Sequence, residues 1–175
     1  MTDNRTSNFP ALRVAILYGS TREGRLCDRI ADWIAAEVAR QHGFAIDRID
    51  PLLLELPPRQ ERNDGDAVKA LRARIGAADA FVVVTPEYNH GYPAALKQLI
   101  DSVSGEWQAK PVAFVSYGGV SGGLRAVEQL RQHPRGGIAG CVRRVVLRTV
   151  PAAQAGADAI ADHAGVRLIH ALSSP

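Results

Sequence analysis

The chain predicts a three-layer α/β sandwich: a five-stranded parallel sheet in the order 2-1-3-4-5, with helices on both faces. Three observations lead there. Short apolar runs alternate with segments whose apolar residues recur every three or four positions, the pattern of strand–helix–strand units joined by right-handed crossovers. Some runs are almost free of polar residues, as strands covered on both faces are. And 175 residues suit one domain with a sizeable core.

The elements follow in order. "LRVAILY" (12–18) is a short apolar run stopped by Gly19, a buried strand. Leu26, Ile30, Trp33, Ile34 and Val38 then recur at helical spacing, so 24–41 reads as an amphipathic helix ended by His42-Gly43. "FAIDRID" (44–50) alternates apolar and polar residues, as a sheet-edge strand would. The proline-containing connection 51–65 is long for a compact domain, which makes it a candidate pocket wall or interface loop. Val68, Leu71 and Ile75 mark the second helix, and "AFVVVT" (80–85) is a β-branched core strand. Pro93 opens a third helix over 93–103. "KPVAFVSY" (110–117) is the fourth strand; Leu124, Val127 and Leu130 define the fourth helix. "VRRVVLRTV" (142–150) is the fifth strand, and Ile160, Ala164, Leu168 and Leu172 give a final helix. Residues 1–11 read as a disordered tail and 12–175 as a single domain.

Composition narrows the partners. A hydrophobic fraction of 46% and a charged fraction of 22% are ordinary for a globular protein. The net charge is only +3 and the arginines are scattered, which argues against a nucleic-acid surface. Two cysteines in different segments argue against a disulfide framework or a zinc site and suit a reducing compartment. The N-terminal residues contain no apolar h-region, and no apolar run approaches a bilayer-spanning length. The expectation is a cytoplasmic protein with no membrane partner.

In a 2-1-3-4-5 sheet the strand order reverses between strands 1 and 3, and ligands bind there beyond the carboxyl ends of the strands. The loops after strands 1, 3 and 4 therefore meet in space: "GSTREGRLC", "PEYNHGYP" and "GGVSGG". In the first, a helix N-terminus offers unpaired N–H groups and partial positive charge. Ser20 and Thr21 add hydroxyls, and Arg22 and Arg25 add forked donors suited to phosphate. The alternative is that Ser20 or Thr21 simply N-caps the helix. No P-loop signature and no G-x-G-x-x-G occurs, so a terminal monophosphate fits better than a triphosphate or pyrophosphate, and FMN is its obvious carrier.

In the second loop Tyr88 offers a flat face with a polar tip, useful beside a planar ring. Asn89 and Gly91 favour a tight turn that aims N–H groups outward. Taken alone, the loop also reads as a plain strand-to-helix turn with an exposed Tyr. His90 reads as a surface side chain. Glu87 stands between a flavin neighbour and a capping or inter-subunit contact. In the third loop, glycines let the backbone approach a ligand and adopt positive φ, and they supply N–H groups to ring carbonyls. A turn capped by Ser121 is the other reading of that loop.

On the motifs "GSTREGR" (19–25), "PEYNHGYPAALKQLID" (86–101) and "SYGGVSGGLRAVEQLR" (116–131), the chain resembles the NADPH-dependent FMN reductases. These form a flavodoxin-like family that includes quinone, azo-compound and chromate reductases. The resemblance implies that Ser20, Arg22, Arg25, Leu26 and Cys27 surround the FMN phosphate. It places Pro86, Glu87, Tyr88, Asn89 and Gly91 along the isoalloxazine ring, with Ser116, Tyr117, Gly118, Gly119, Ser121 and Gly122 at its other edge and the ribityl chain. It also implies a homodimer or homotetramer with helices 3 and 4 at the interface.

Two departures stand out. Cys27 occupies a position where the family usually has Ser; beside Arg22, Arg25 and a helix N-terminus it is either a thiolate or a small, half-buried residue. The segment after strand 5 is short. The expected activity is hydride transfer from NADPH (or NADH) to bound FMN, then to a small acceptor such as free flavin, a quinone, an azo compound or a metal oxyanion. The cofactor carries that chemistry, so no catalytic side chain and no metal are nominated. The alternative is a flavodoxin-type electron carrier that does not itself oxidise NAD(P)H.

Overall fold

The computed structural model describes residues 10–59, 65–107, 109–132 and, as backbone, 141–146. Five parallel strands form one sheet in the order β2-β1-β3-β4-β5. They are β1 Leu12–Tyr18, β2 Phe44–Ile49, β3 Ala80–Pro86, β4 Pro111–Tyr117 and β5 Cys141–Val146. The order and the parallel sense are those the alternation predicts. Four helices accompany them: α1 Cys27–Ala39, α2 Asp66–Ala77, α3 Ala94–Asp101 and α4 Leu124–Arg131.

The two faces of the sheet read directly from the period-2 alternation of the strands. Val14, Ile16, Tyr18, Val82, Val84, Ala113, Val115 and Tyr117 pack on the buried side of α1, through Ile30, Ile34 and Val38. Ala15, Leu17, Phe81, Val83, Val112 and Phe114 face the other way, onto α2, α3, α4 and Trp107. β3 is buried along its whole length, which explains why its sequence shows no polar alternation. β2, at the sheet's edge, is only half-buried and keeps its alternation.

The boundaries differ from expectation in instructive ways. α1 begins at Cys27 rather than 24, because Gly24 takes a φ of +63° and residues 21–26 stay outside the helix. Pro93 is the N-cap of α3 and not its first residue. Leu124, expected on the buried stripe of the fourth helix, is 46% exposed, whereas Ala126 takes a buried place. Two 3-10 turns were not foreseen: Pro51–Leu53, inside the long connection, and Gly105–Trp107. The latter seats a fully buried Trp107, whose indole N–H donates to the carbonyls of Val103 at 2.8 Å and Ile100 at 3.3 Å. The expected tail 1–11 lies almost wholly, and the end of strand 5 and the final helix wholly, outside the described residues. Among those residues no helix is long and apolar enough to cross a membrane.

Candidate functional site

The carboxyl ends of β1, β3 and β4 lie side by side, and the loops that leave them share one end of the sheet. The first loop starts under tight control. Gly19 donates its N–H to the Val84 carbonyl at 2.7 Å, and a Cβ there would lie 2.7 Å from that same oxygen. Only glycine passes this point without moving β3. Ser20 is next, wholly buried, with its hydroxyl 2.7 Å from the hydroxyl of Tyr88. That single bond joins the first loop to the second.

The N-cap position of α1 is Leu26, and no side chain caps it. Neither Ser20 nor Thr21 plays the capping role, so the first-turn N–H groups keep their capacity for an anion. Arg22 lies across the ring of Tyr88, its guanidinium carbon 3.6 Å from the centroid, and makes no ion pair among the described residues. Thr21 is exposed beside it. Arg25 is placed quite differently. Its guanidinium faces inward to Asp50, Asp28 and the Ser20 carbonyl.

Cys27 opens α1 fully buried, its thiol 3.6 Å from the Val84 carbonyl. Burial pushes the thiol pKa up, against the opposing pull of the Gly19 and Ser20 backbone and Arg25. The thiolate reading therefore gives way to a buried, protonated thiol, more enclosed than the half-buried residue expected. What Cys27 offers an anion is its helix-end N–H.

In the second loop Tyr88 and Gly91 exchange two backbone hydrogen bonds, of 2.9 and 3.0 Å, around Asn89 and His90. Both central residues hold positive φ, +49° and +65°, as a type I′ turn requires. The expected tight turn is present, but Gly91 spends its N–H within it and does not aim that group outward. Gln129 of α4 donates to the His90 carbonyl at 3.2 Å and steadies the turn.

Glu87 resolves toward capping. Its carboxylate accepts from the Ser121 hydroxyl at 2.7 Å, the Arg125 N–H at 3.0 Å and the Arg125 guanidinium at 2.8 Å. It thus caps α4 from a different loop, while Ser121 serves Glu87 and not the helix. Burial alone would raise the Glu87 pKa; the Ser121 and Arg125 hydrogen bonds outweigh it and hold the carboxyl below its usual range. Pro86 closes β3, paired with Tyr117.

The glycines of the third loop divide by task. Gly122 and Gly123 have φ of +60° and +91°, so the turn itself requires them. The Ser116 hydroxyl donates to the Gly122 carbonyl at 3.1 Å and pins that turn. Gly118 is packed, with the Gly123 nitrogen 3.3 Å and the Glu87 Cβ 3.5 Å from a would-be Cβ. Gly119 faces open space. Beneath the loops, the Tyr117 hydroxyl is buried with no hydrogen-bond partner of its own. Burial, with Cys27 and Tyr88 nearby, pushes its pKa up.

The structure thus gathers Ser20, Arg22, Leu26, Cys27, Tyr88, Asn89, Tyr117 and Gly119 at one end of the sheet. Asp50 escaped sequence reasoning as a functional group, and for Glu87 the sequence offered the capping role without its partner. Asp50 follows the edge strand and precedes Pro51, an Asp-Pro turn signal, but its pairing with Arg25 spans 25 positions. The pairing of Glu87 with Arg125 spans 38.

The comparisons with known proteins bear on the family and the fold. The family model described as NADPH-dependent FMN reductase matches residues 12–156. An NAD(P)H-dependent FMN reductase of Schizosaccharomyces pombe is 36% identical over 151 residues, covering 80% of this chain and 72% of that one. One from Saccharomyces cerevisiae is 32% identical over 162 residues, covering 80% and 84%. The solved structure of FerB, a flavoenzyme NAD(P)H:(acceptor) oxidoreductase from Paracoccus denitrificans, superposes with a TM-score of 0.64 at 23% identity, over 85% and 82% of the two chains. That last likeness speaks to the fold alone.

Proposed function

The chain belongs to the NADPH-dependent FMN reductase family, and from that premise we propose that it binds FMN across these three loops, oxidises NAD(P)H and passes the electrons to a small acceptor. The observation that carries the site is the uncapped first turn of α1 beside Arg22, a guanidinium with no carboxylate partner among the described residues. A terminal phosphate supplies the missing acceptor for both.

The residues present fit the group. Ser20, Thr21 and Arg22, with the N–H groups of Leu26 and Cys27, would hold the phosphate. Pro86 to Gly91 would run along the isoalloxazine ring. Ser116 to Gly122 would meet its other edge and the ribityl chain, with the open face of Gly119 the place where a ligand comes closest.

Bound FMN supplies the two-electron chemistry, taking a hydride from a nicotinamide and releasing electrons to a second substrate. The chain's own part is to place the ring, give its polar edge N–H donors and leave one face open. Glu87 is committed to Ser121 and Arg125 and is held charged, so it does not serve as a proton donor. We assign no catalytic acid or base. Free flavin, quinones, azo compounds and metal oxyanions are the proposed acceptors, in a cytoplasmic homo-oligomer. Exposed apolar side chains at Leu52, Leu53, Val120 and Leu124 support the oligomer.

Reconstitution with FMN is expected to give a yellow protein that bleaches rapidly on anaerobic mixing with NADPH and regains colour when a quinone is added. A protein that stays colourless after reconstitution overturns the site. A yellow protein unchanged by NADPH or NADH overturns the reductase and favours an electron carrier.

A further inference from the structure

We propose that Arg25 and Asp50 form a clamp that shapes the phosphate loop from behind, making Asp50 a positioning residue for FMN that itself touches no ligand. This rests on the FMN reading above. All three nitrogens of the Arg25 guanidinium already face protein oxygens. Nε donates to Asp28 at 2.8 Å. Nη1 donates to Asp50 Oδ1 at 2.9 Å and to the Ser20 carbonyl. Nη2 donates to Asp50 Oδ2 and lies 2.7 Å from Asp28 Oδ1. A guanidinium has five donors: four make these hydrogen bonds, and the fifth sits on Nη2, 2.7 Å from the Asp28 carboxylate. None is left for a phosphate.

Position and charge agree. The Arg25 side chain is 6% exposed and that of Asp50 11%, so the pair lies behind the loop and not at its open face. One cation stands against two carboxylates, Asp28 and Asp50. A cluster with a net negative charge does not attract a phosphate, so its benefit to an anion site must be geometric. Arg22, three residues earlier, is the cation left free to meet it.

The geometry is set from both ends. Asp50 is held independently: its carboxylate also accepts the Leu52 N–H at 3.0 Å, capping the 3-10 turn that follows β2. Through Arg25 that fixed carboxylate reaches the Ser20 carbonyl, and so orients the Ser20–Thr21 peptide whose N–H belongs to the phosphate loop. The Ser20 hydroxyl is tied on its other side to Tyr88. The end of β2 thereby dictates the shape of the loop after β1.

The test compares FMN with riboflavin, which lacks only the phosphate. Apoprotein of the wild type, Asp50→Asn, Arg25→Lys and the double variant is titrated with each flavin, following flavin fluorescence, with apoprotein melting measured alongside. Each single variant is expected to bind FMN about tenfold more weakly, the loss of roughly one preorganised charge-assisted hydrogen bond. Riboflavin affinity should change less than about twofold, and the double variant should be no worse than the singles, because both remove one unit. FMN binding unchanged or tightened in Asp50→Asn overturns the clamp, since a released Arg25 would then be acting as a phosphate ligand. Equal losses for FMN and riboflavin, tracking a lower melting temperature, overturn it too by making the pair merely structural. Should Asp50→Asn not fold, Asp50→Glu, which keeps the charge and shifts the carboxylate by one methylene, carries the same two readings. A wild type that binds riboflavin but shows no preference for FMN overturns the phosphate site itself, whatever the variants do.

Discussion

At Gly123 a Cβ would sit 2.5 Å from the Ser116 Cβ, on a backbone with φ of +91°. Replacement by alanine combines a left-handed conformation with a steric overlap, and Gly123→Ala is expected to cost about 2–3 kcal/mol. Thermal melting of the apoprotein checks this; Gly119→Ala, facing open space at a φ outside the left-handed region, should leave the melting temperature nearly unchanged. Glu87 makes a complementary case. Glu87→Gln keeps the shape but turns one acceptor into a donor opposite the Arg125 N–H groups, and a cost of about 1–3 kcal/mol is expected in denaturant unfolding. The run of four glycines is visible in the sequence, but which of them serve the turn and which stands open is decided by Ser116, Glu87 and Gly123 meeting in space. Arg22 and Arg25 look equivalent on paper. Only the inward Asp50 separates a free cation from a spent one.

Elements were easier to read than their ends. Helical spacing locates α1 through Ile30, Ile34 and Val38, all buried as the stripe requires. Its start is three residues late because the left-handed Gly24 holds the preceding loop out of the helix. This delay leaves residues 21–26 as a loop in front of an uncapped first turn. Residues 105–107 gave no periodic signal, being only three residues long, yet Trp107 there docks on the end of α3 and lies 5.0 Å from the ring of Phe81. Trp107→Phe keeps most of the apolar burial while leaving the Val103 carbonyl without its indole donor. A loss of about 1–3 kcal/mol is expected, measured by the unfolding midpoint, with FMN binding at the far end of the sheet unaffected.

Across the whole molecule, Asp50 and Glu87 anchor separate loops to the sheet, and both carboxyls are held below their usual ranges. For Asp50, burial would raise the pKa, but the Arg25 hydrogen bonds and the Leu52 N–H outweigh it. A carboxyl with a folded-state pKa below its unfolded value contributes stability above the unfolded value and loses it as pH falls through the folded one. With ordinary carboxyl values of about 4, stability should be flat near neutrality and fall below roughly pH 4. In Asp50→Asn that acid limb should be shallower, a comparison that urea midpoints at stepped pH provide.

By itself the sequence determined the strand order, the two-sided core and the three loops that meet at the reversal point, because hydrophobic periodicity and crossover handedness act locally and repeat along the chain. It also carried the family, through motifs each contiguous in the sequence. The tertiary structure alone decided which partners each loop residue meets. The Arg25–Asp50, Glu87–Arg125 and Ser20–Tyr88 pairs join positions 25 to 68 residues apart. Hydrogen bonds across such separations leave no period in the sequence; the sheet must first bring their partners together.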